Sequence, residues 1–341
     1  MRTPFRPRVL LTSFYDRSII GETVERLRGF ADLLEVNRGR NLNEEELFES
    51  LPGMHACIAA DEKYPARVLD CASDLVLVAR EGTGYDGVDV AAATERGILV
   101  TNAPIVHQAT ANVTIGLLIG MVRKLFIGDR DVREERWTDR DRRTCPALAD
   151  LTLGILGFGL VGREVASRAR ALGMKVLVYN RSEVPDAKVC QVETGSMDEV
   201  LARSDVVSIH IRHCPETTRL IDRAAFQRMK RGAYFINTAR GGIVDEPALI
   251  ESLQEGHLAA AAVDVFAHEP PASDNPLLHM ENVICSPHLG GETTTNMRVG
   301  MHMAIDQLEN CLSGQRPETL VNPEVWEGAR LHRLLGEVGT A

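Results

Sequence analysis

The 341-residue sequence predicts an α/β protein with two separate series of parallel strands. Short apolar runs of strand length alternate with amphipathic stretches over residues 8–101 and again over 152–286. At the start of the second series, a strand-like run leads into three glycines, Gly157, Gly159 and Gly162, and then into a helical pattern. Because strands that alternate with helices form parallel sheets, the two series predict two α/β domains.

The first series is expected to contain five strands with a helix between each pair. Asn43 precedes a run of glutamates, which is typical of a capped helix with an acidic first turn. The strands are predicted over 8–14, 32–37, 56–60, 75–79 and 98–101, and the helices over 18–29, 43–51, 65–71 and 90–96.

The pattern changes between the two series. Residues 109–126 are rich in Ala, Ile, Leu and Met, which predicts one long buried helix, packed in the protein's own core or against a second subunit. Residues 129–143 are dense in charge and are expected to form a solvated connector.

The second series predicts six strands and a long closing helix. This helix, over 293–312, is long enough to cross back to the first series, whereas the tail after residue 323 has little periodicity and receives no function. The strands are expected near 152–156, 174–179, 205–210, 232–237, 258–264 and 282–286, with a further helix over 245–255.

Charge and cysteine content restrict the classes of partner. The formal net charge of −10 disfavours nucleic acid and anionic membranes. The seven cysteines form no C-x-x-C pair, which indicates reduced thiols in a cytoplasmic protein. No apolar run approaches the ~18 residues of a membrane span.

The glycine turn predicts a dinucleotide site. Gly157 permits the sharp turn, Gly159 lets a pyrophosphate approach the backbone, and Gly162 lets helix and strand pack closely. The N-terminus of the following helix offers N–H groups and partial positive charge to the phosphates. The intervening residues predicted to complete this cofactor-binding turn are Phe158, Leu160 and Val161.

The end of the next strand, over 175–179, indicates which dinucleotide binds. Sites that prefer NAD place Asp or Glu there to bind the ribose hydroxyl. Here Asn180 takes that place, Arg181 adds a cation and Ser182 a hydroxyl, so NADPH is favoured, with NADH still usable. Glu183 is a rival ribose ligand.

Three polar residues follow later strands, and together they suit hydride-transfer chemistry. Arg240 can bind a carboxylate and polarise a neighbouring carbonyl. His288 can protonate the forming alkoxide, and Glu269 can orient it and favour its charged form. His268 is a rival acid.

A second cluster could be misinterpreted as a metal site. His210, His213 and Cys214 are close in sequence, but no fourth ligand is evident, so no metal is predicted.

From about Val9 to Leu312 the chain resembles the D-isomer-specific 2-hydroxyacid dehydrogenase family. The motifs that carry the resemblance are the glycine turn, the stretch 237–245 with Arg240, the stretch 264–270 with Glu269, and the stretch 286–291 with His288. The resemblance implies two Rossmann-like domains: a flavodoxin-like substrate domain formed by 1–103 and 290–341, and a dinucleotide-binding domain over 104–289.

The resemblance also implies further site residues and a homodimer that pairs through the dinucleotide-binding domain. The backbone amides of Gly82, Thr83 and Gly84 would hold the substrate carboxylate, which agrees with the anion-binding nest that a glycine-rich turn can form. Asp264 would contact the nicotinamide carboxamide. The remaining cofactor residues would be Thr217, in the loop that flanks adenine and phosphate, and Thr238.

The resulting hypothesis is an enzyme that reduces a small 2-oxoacid, with glyoxylate or hydroxypyruvate as the first candidates, or runs the reverse reaction. Residues 108–113 lack the acid and histidine that many family members carry, which leaves the substrate subclass open. Glu269 argues against the formate dehydrogenase branch, and the absence of a regulatory domain argues against the long phosphoglycerate dehydrogenases. The alternative is a dinucleotide-sensing binding protein like the corepressors that resemble this family.

Overall fold

The computed structural model of the chain describes residues 6–105, 107–137, 144–328 and 330–332. The chain divides into two compact units. The first unit comprises Met1–Val106 and Glu292–Ala341, and the second unit comprises His107–Gly291. The sequence predicts domain boundaries after residues 103 and 289, which are three and two residues before the observed boundaries after Val106 and Gly291.

The first unit contains a parallel five-stranded sheet in the order β2-β1-β3-β4-β5. Its central strands are buried on both faces, as expected of a parallel sheet covered by helices. The strands are β1 (Arg8–Leu11), β2 (Asp32–Glu35), β3 (Ala56–Ala59), β4 (Leu77–Arg80) and β5 (Leu99–Thr101).

The first unit includes the helices α1 (Arg17–Phe30), α2 (Glu44–Ser50), α3 (Ala66–Asp70), α4 (Val90–Glu95) and α12 (Thr294–Leu312). The last of these, α12, comes from a much later part of the chain than the others. Asn43 caps α2 through a capping box with Glu46. Met301 and Ile305 of α12 pack in one core cluster with Leu27 of α1.

The tail beyond α12 contributes to the same unit, although its sequence has little periodicity. Buried Asn322 accepts a hydrogen bond from the Val100 amide (2.9 Å) and donates one to the Ile98 carbonyl (2.9 Å). Val325, in the 3₁₀ turn Pro323–Gly328, is buried in the core. The tail therefore adds a side-chain contact to the edge strand β5.

The second unit contains a parallel seven-stranded sheet in the order β12-β11-β10-β9-β6-β7-β8. The strand order reverses between β6 and β9, and open α/β sheets bind ligands at such a switch point. The strands are β6 (Thr152–Leu156), β7 (Lys175–Tyr179), β8 (Glu193–Thr194), β9 (Val206–Ile209), β10 (Ala233–Asn237), β11 (Leu258–Val263) and β12 (Val283–Cys285), of which β8 was not predicted.

The prediction of a single long helix over 109–126 is wrong, because the helix is interrupted within that range. The helix α5 (His107–Val122) ends before Lys124, which has a left-handed backbone (φ 52°), and α6 (Leu125–Arg133) continues at an angle of 59°. The predicted connector is therefore partly helical, and its residues 138–143 lie outside the described residues. Within the described residues, no single helix is long and apolar enough to cross a membrane.

The helix α5 is buried by its own chain. Leu118 and Met121 share a core cluster with Leu153 of the sheet and with Val165 of the helix that follows the glycine turn. The remaining helices of the second unit are α7 (Leu160–Ala171), α8 (Ala187–Cys190), α9 (Met197–Arg203), α10 (Arg223–Arg228) and α11 (Glu246–Gln254).

Candidate active site

The glycine turn between β6 and α7 has the shape of a phosphate-binding turn. Gly157 has a φ of 100°, and a Cβ there would lie 2.4 Å from the carbonyl oxygen of His210. A Cβ on Gly162 would lie 2.2 Å from the carbonyl oxygen of Gly157. A Cβ on Gly159 would meet no atom within 4 Å. The turn is therefore closely packed on the inside and open at Gly159, which fits a pyrophosphate approaching the N-terminus of α7.

Of the three residues between the glycines, two pack into the protein and one has an exposed side chain. Phe158 is buried, and the guanidinium of Arg163 lies 4.7 Å from the centre of its ring. Val161 packs against the core, whereas Leu160 is 60% exposed at the start of α7. The Arg163 guanidinium also pairs with Asp186, which positions it beside the turn.

Asn180, at the end of β7, is tied to the glycine turn. Its Oδ1 accepts a hydrogen bond from the Phe158 amide (3.1 Å), and its Nδ2 donates to the carbonyl of Ser182 (3.0 Å). Arg181 is exposed. The pKa of Glu216, in the predicted cofactor segment 214–217, is lowered chiefly by a hydrogen bond with Cys214, and the charge of Arg181 lowers it further.

Two predicted cofactor residues use their hydroxyl groups within the protein. The Thr217 hydroxyl accepts a hydrogen bond from the Cys214 amide (2.8 Å) and donates to the Arg212 carbonyl (2.8 Å). The hydroxyl groups of Thr238 and Thr114 lie 2.8 Å apart in a buried contact. These contacts stabilise the local backbone, and a role in cofactor binding stays a prediction for both residues.

The cluster of His210, His213 and Cys214 has separate partners. The Nε2 of His210 lies 2.9 Å from the Ser208 hydroxyl, and burial lowers the pKa of His210 to about 3. The Nε2 of His213 lies 3.2 Å from the Thr218 hydroxyl. Each imidazole is thus hydrogen-bonded to a hydroxyl group.

Arg240 lies in a tight turn after β10. The side chain of Asn237 closes this turn, because its Oδ1 accepts from the Ala239 amide (3.0 Å) and its Nδ2 donates to the Arg240 carbonyl (3.0 Å). A Cβ on Gly241 would lie 1.9 Å from the carbonyl oxygen of Phe266, so the Arg240 turn is in backbone contact with the loop after β11. Only glycine permits this approach.

Glu269 and His288 form a hydrogen-bonded pair at the same sheet edge. The Nδ1 of His288 lies 2.8 Å from Oε2 of Glu269, whose Oε1 accepts from the Phe266 amide (2.9 Å). The pKa of Glu269 is lowered: burial acts to raise it, but the hydrogen bond and charge of His288, with a further contribution from Arg240, outweigh burial. With Nδ1 turned to a carboxylate, Nε2 is the nitrogen that would exchange a proton with a substrate. The rival His268 is exposed on the same loop.

Asp264 holds the segment that carries His288. Its side chain is fully buried, and its carboxylate accepts hydrogen bonds from the Ser286 hydroxyl (2.6 Å), the Leu289 amide (2.8 Å) and the Gly290 amide (2.9 Å). The His288 backbone is left-handed, with φ 58°. Both of its carboxylate oxygens have internal donors, which hold the strained backbone at His288. Contact between Asp264 and the nicotinamide carboxamide stays a prediction.

In the first unit, the turn Gly82-Thr83-Gly84 has the features of an anion-binding nest. All three carbonyl oxygens accept internal hydrogen bonds, from the Ala103 amide (2.9 Å), from Asn102 Nδ2 (2.8 Å) and from Arg80 Nε (3.0 Å). Among the described residues, none of the three backbone N–H groups donates to a protein acceptor. The turn therefore presents amides to a ligand, as a carboxylate site requires.

Charged side chains are buried behind this turn. Arg80, at the end of β4, is 4% exposed and also donates to the Ala59 carbonyl (2.9 Å) and pairs with Asp61. Glu81 is 4% exposed, and burial raises its pKa to about 8. Burial also raises the pKa of Glu62.

Several supporting residues were missed by sequence reasoning. Asn237, Arg80 and Glu246 each hold a loop of the candidate site through side-chain hydrogen bonds to backbone groups. A polar residue at the end of an apolar strand was the available signal for Asn237 and Arg80.

Comparison with known proteins finds relatives that are named as dehydrogenases and reductases. The sequence profile described as "D-isomer specific 2-hydroxyacid dehydrogenase, NAD binding domain" matches residues 115–290. The D-3-phosphoglycerate dehydrogenase of Archaeoglobus fulgidus is 39% identical over 293 residues, which are 85% of this chain and 55% of that protein. This chain thus spans about half the length of that relative. The glyoxylate reductase of Thermofilum pendens is 35% identical over 83% of this chain and 86% of its own length.

A solved structure agrees with these relatives. The NADPH-dependent glyoxylate/hydroxypyruvate reductase of Sinorhizobium meliloti, in complex with NADP and malonate, superposes with a TM-score of 0.81. It is 27% identical, and the match covers 93% of this chain and 97% of that one.

Proposed function

The chain belongs to the D-isomer specific 2-hydroxyacid dehydrogenase family, and we propose that it is an NAD(P)-dependent oxidoreductase that interconverts a small 2-oxoacid and its D-2-hydroxyacid. The observation that carries this proposal is the hydrogen bond between His288 and Glu269 (2.8 Å) at the carboxyl edge of the sheet that also bears the glycine turn. An ionised carboxylate behind an imidazole is the arrangement that general acid–base catalysis requires.

The residues of the candidate site divide the steps of this reaction between them. When bound, the nicotinamide supplies a hydride for C2 of the oxoacid. His288 donates a proton from Nε2 to the oxygen of the former carbonyl, and Glu269 stabilises the imidazolium before that transfer. Arg240 binds the substrate carboxylate and polarises the carbonyl. The amides of 82–84, in the first unit, are a further candidate for binding a carboxylate.

The cofactor is held by the turn 157–162, and NADPH is the preferred form. The support is the absence of a carboxylate at the end of β7, where Asn180 uses its amide on the Phe158 amide and the Ser182 carbonyl. Exposed Arg181 supplies the cation that pairs with a 2′-phosphate. Thr217, Thr238 and Asp264 stay in the predicted cofactor site as residues that hold its backbone.

The cofactor preference is tested by comparing kcat/KM for NADPH and NADH. The variant Asn180→Asp with Arg181→Ala is expected to reverse the preference, because it adds the repulsive charge and removes the attractive one. Glu183→Ala is the control, since weaker NADH binding in that variant would make Glu183 the ribose ligand. A wild-type preference for NADH would contradict the proposal.

Glyoxylate and hydroxypyruvate are the substrates that we propose. The support is the likeness to the glyoxylate reductase of Thermofilum pendens, which is 35% identical over 83% of this chain, and to the glyoxylate/hydroxypyruvate reductase of Sinorhizobium meliloti, with a TM-score of 0.81. A small two- or three-carbon oxoacid also needs little beyond the carboxylate and carbonyl contacts described above.

A panel of 2-oxoacids assayed with both reduced cofactors tests the activity. Turnover of glyoxylate or hydroxypyruvate is expected, and His288→Ala should lower kcat by about 10²–10⁴-fold while dinucleotide affinity is kept. His268→Ala is the matched control and should be close to wild type. Tight dinucleotide binding with no turnover of any oxoacid would instead favour a binding protein.

We also propose a cytoplasmic homodimer that pairs through the second unit. Leu125 and Phe126, at the start of α6, are 56% and 53% exposed, and paired apolar side chains of this kind are typical of subunit contacts. Sedimentation velocity is expected to show a dimer, and Leu125→Glu should weaken it. A monomer at all concentrations would contradict the pairing.

A further inference from the structure

We propose that Glu246 is a positioning residue for the pair formed by His288 and Glu269, an inference whose kinetic consequences rest on the proposed function. Glu246 is the first residue of α11 and lies in the chain between the Arg240 turn and the loop that carries Glu269. It acts through the backbone of that loop, whose Ala267 amide donates to its carboxylate.

The carboxylate of Glu246 joins the two ends of the loop 267–275. Its Oε2 accepts a hydrogen bond from the Ala267 amide (3.0 Å), and its Oε1 accepts one from Asn275 Nδ2 (2.9 Å). The Oδ1 of Asn275 in turn accepts from the Leu277 amide (3.0 Å). A single carboxylate therefore closes a loop whose interior carries Glu269.

The peptide between Phe266 and Ala267 is held from two sides. Its carbonyl lies against Gly241, where a Cβ would be 1.9 Å from the Phe266 oxygen, and its N–H donates to Glu246. The preceding amide, that of Phe266, donates to Oε1 of Glu269 (2.9 Å). Fixing this peptide therefore fixes the donor that orients the Glu269 carboxylate.

The position of Glu246 in α11 does not by itself account for these contacts. An acidic residue in the first turn of a helix is stabilised by the helix dipole wherever its side chain points. Here both carboxylate oxygens have donors outside the helix, 21 and 29 residues away in the chain. Glu269 is exposed, so few packing contacts restrict its side chain. The two hydrogen bonds accepted by Glu246 therefore limit the range of positions that the loop 267–275 can adopt.

The test follows the His288 imidazole by NMR in the free protein, with the resonance assigned from His288→Ala. Without the two hydrogen bonds to Glu246, the loop that carries the Glu269 carboxylate can move. The protonated imidazole of His288 then loses part of the stabilisation that this carboxylate gives it. Glu246→Ala is expected to move the midpoint of the His288 titration to lower pH by about half a unit or more. Glu246→Gln keeps one acceptor but places an amide N–H₂ against one of the two donors, so its shift should be smaller and in the same direction.

Two comparisons separate positioning from a general loss of stability. Glu251→Gln, on the same helix, removes an ion pair with Arg223 and should leave the His288 titration unchanged. In turnover, Glu246→Ala should lower kcat about tenfold and leave the KM for the dinucleotide unchanged.

An unchanged His288 titration in Glu246→Gln and Glu246→Ala would overturn the proposal. If Glu246→Ala fails to fold, the His288 titration in Glu246→Gln alone tests the proposal, because glutamine preserves the side-chain volume and one hydrogen-bond acceptor. The NMR titration needs no substrate. If no 2-oxoacid is turned over, the proposed function fails, while the titration still supports or overturns the role of Glu246.

Discussion

Replacement of Glu81 by glutamine is expected to remove a pH dependence from the stability of the first unit. Burial raises the pKa of Glu81 from 4.5 to about 8. The positive charge of Arg80 and the polar side chain of Ser13 oppose this shift, and the nearby carboxylates of Glu62 and Asp61 add to it. The folded protein thus keeps a proton that the unfolded chain releases.

The sign and size of the effect follow from this difference in proton binding. Between pH 4.5 and about 8 the folded state binds one more proton, so the free energy of unfolding falls as pH rises and levels off above the folded pKa. From pH 6 to pH 9 the loss is at most about 3 kcal/mol, because the slope of ~1.36 kcal/mol per pH unit holds over the two units below the folded pKa of about 8 and fades above it. Relaxation around the buried charge reduces this value, so we expect about 2 kcal/mol between pH 6 and pH 9.

The two tryptophans make the measurement specific for the first unit. Trp326 packs against the core of the first unit, and Trp137 lies in the second unit. In a Trp137→Phe background, Trp326 fluorescence can therefore follow urea unfolding of the first unit at pH 6 and pH 9. Glu81→Gln should lose the pH dependence calculated above, whereas Glu49→Gln, which changes an exposed glutamate, should keep it. Equal pH dependence in wild type and Glu81→Gln would refute the reasoning.

Three further predictions concern the second unit. Asp264→Asn places an amide N–H₂ against at least one of the three donors to this side chain, so the free energy of unfolding measured in urea should fall by about 1–3 kcal/mol. The kcat should fall as well because His288 is displaced, and a wild-type free energy of unfolding with a wild-type kcat would contradict the role assigned to Asp264. Arg240→Ala should raise the KM for the oxoacid and lower kcat together, with unchanged dinucleotide affinity measured by fluorescence titration; a change in dinucleotide affinity alone would place Arg240 in the cofactor site instead. Glu269→Gln removes the charge that favours protonated His288, so in the direction of oxoacid reduction the alkaline limb of the pH–kcat profile should move to lower pH, and an unmoved limb would show that Glu269 does not act through His288.

The fold class could be predicted because its signals are local. Apolar runs of strand length, the capping sequence at Asn43 and the spacing of Gly157, Gly159 and Gly162 are properties of short segments, and the structure shows a strand, a capped helix and a tight turn at these places. The D-2-hydroxyacid dehydrogenase resemblance is confirmed by the family match. The long helix over 109–126 was wrong because apolar composition does not reveal the left-handed backbone at Lys124.

The sequence by itself determined which chemical groups the candidate site contains, since Arg240, Glu269 and His288 are read from residue type and motif. Only the tertiary structure decided their partners. Asp264 bonds to groups up to 26 residues away, and Glu246 to groups 21 and 29 residues away. The physical reason is that a parallel sheet brings the carboxyl ends of strands together that are distant in the chain, and hydrogen bonds depend on distances of about 3 Å that strand register and loop packing set.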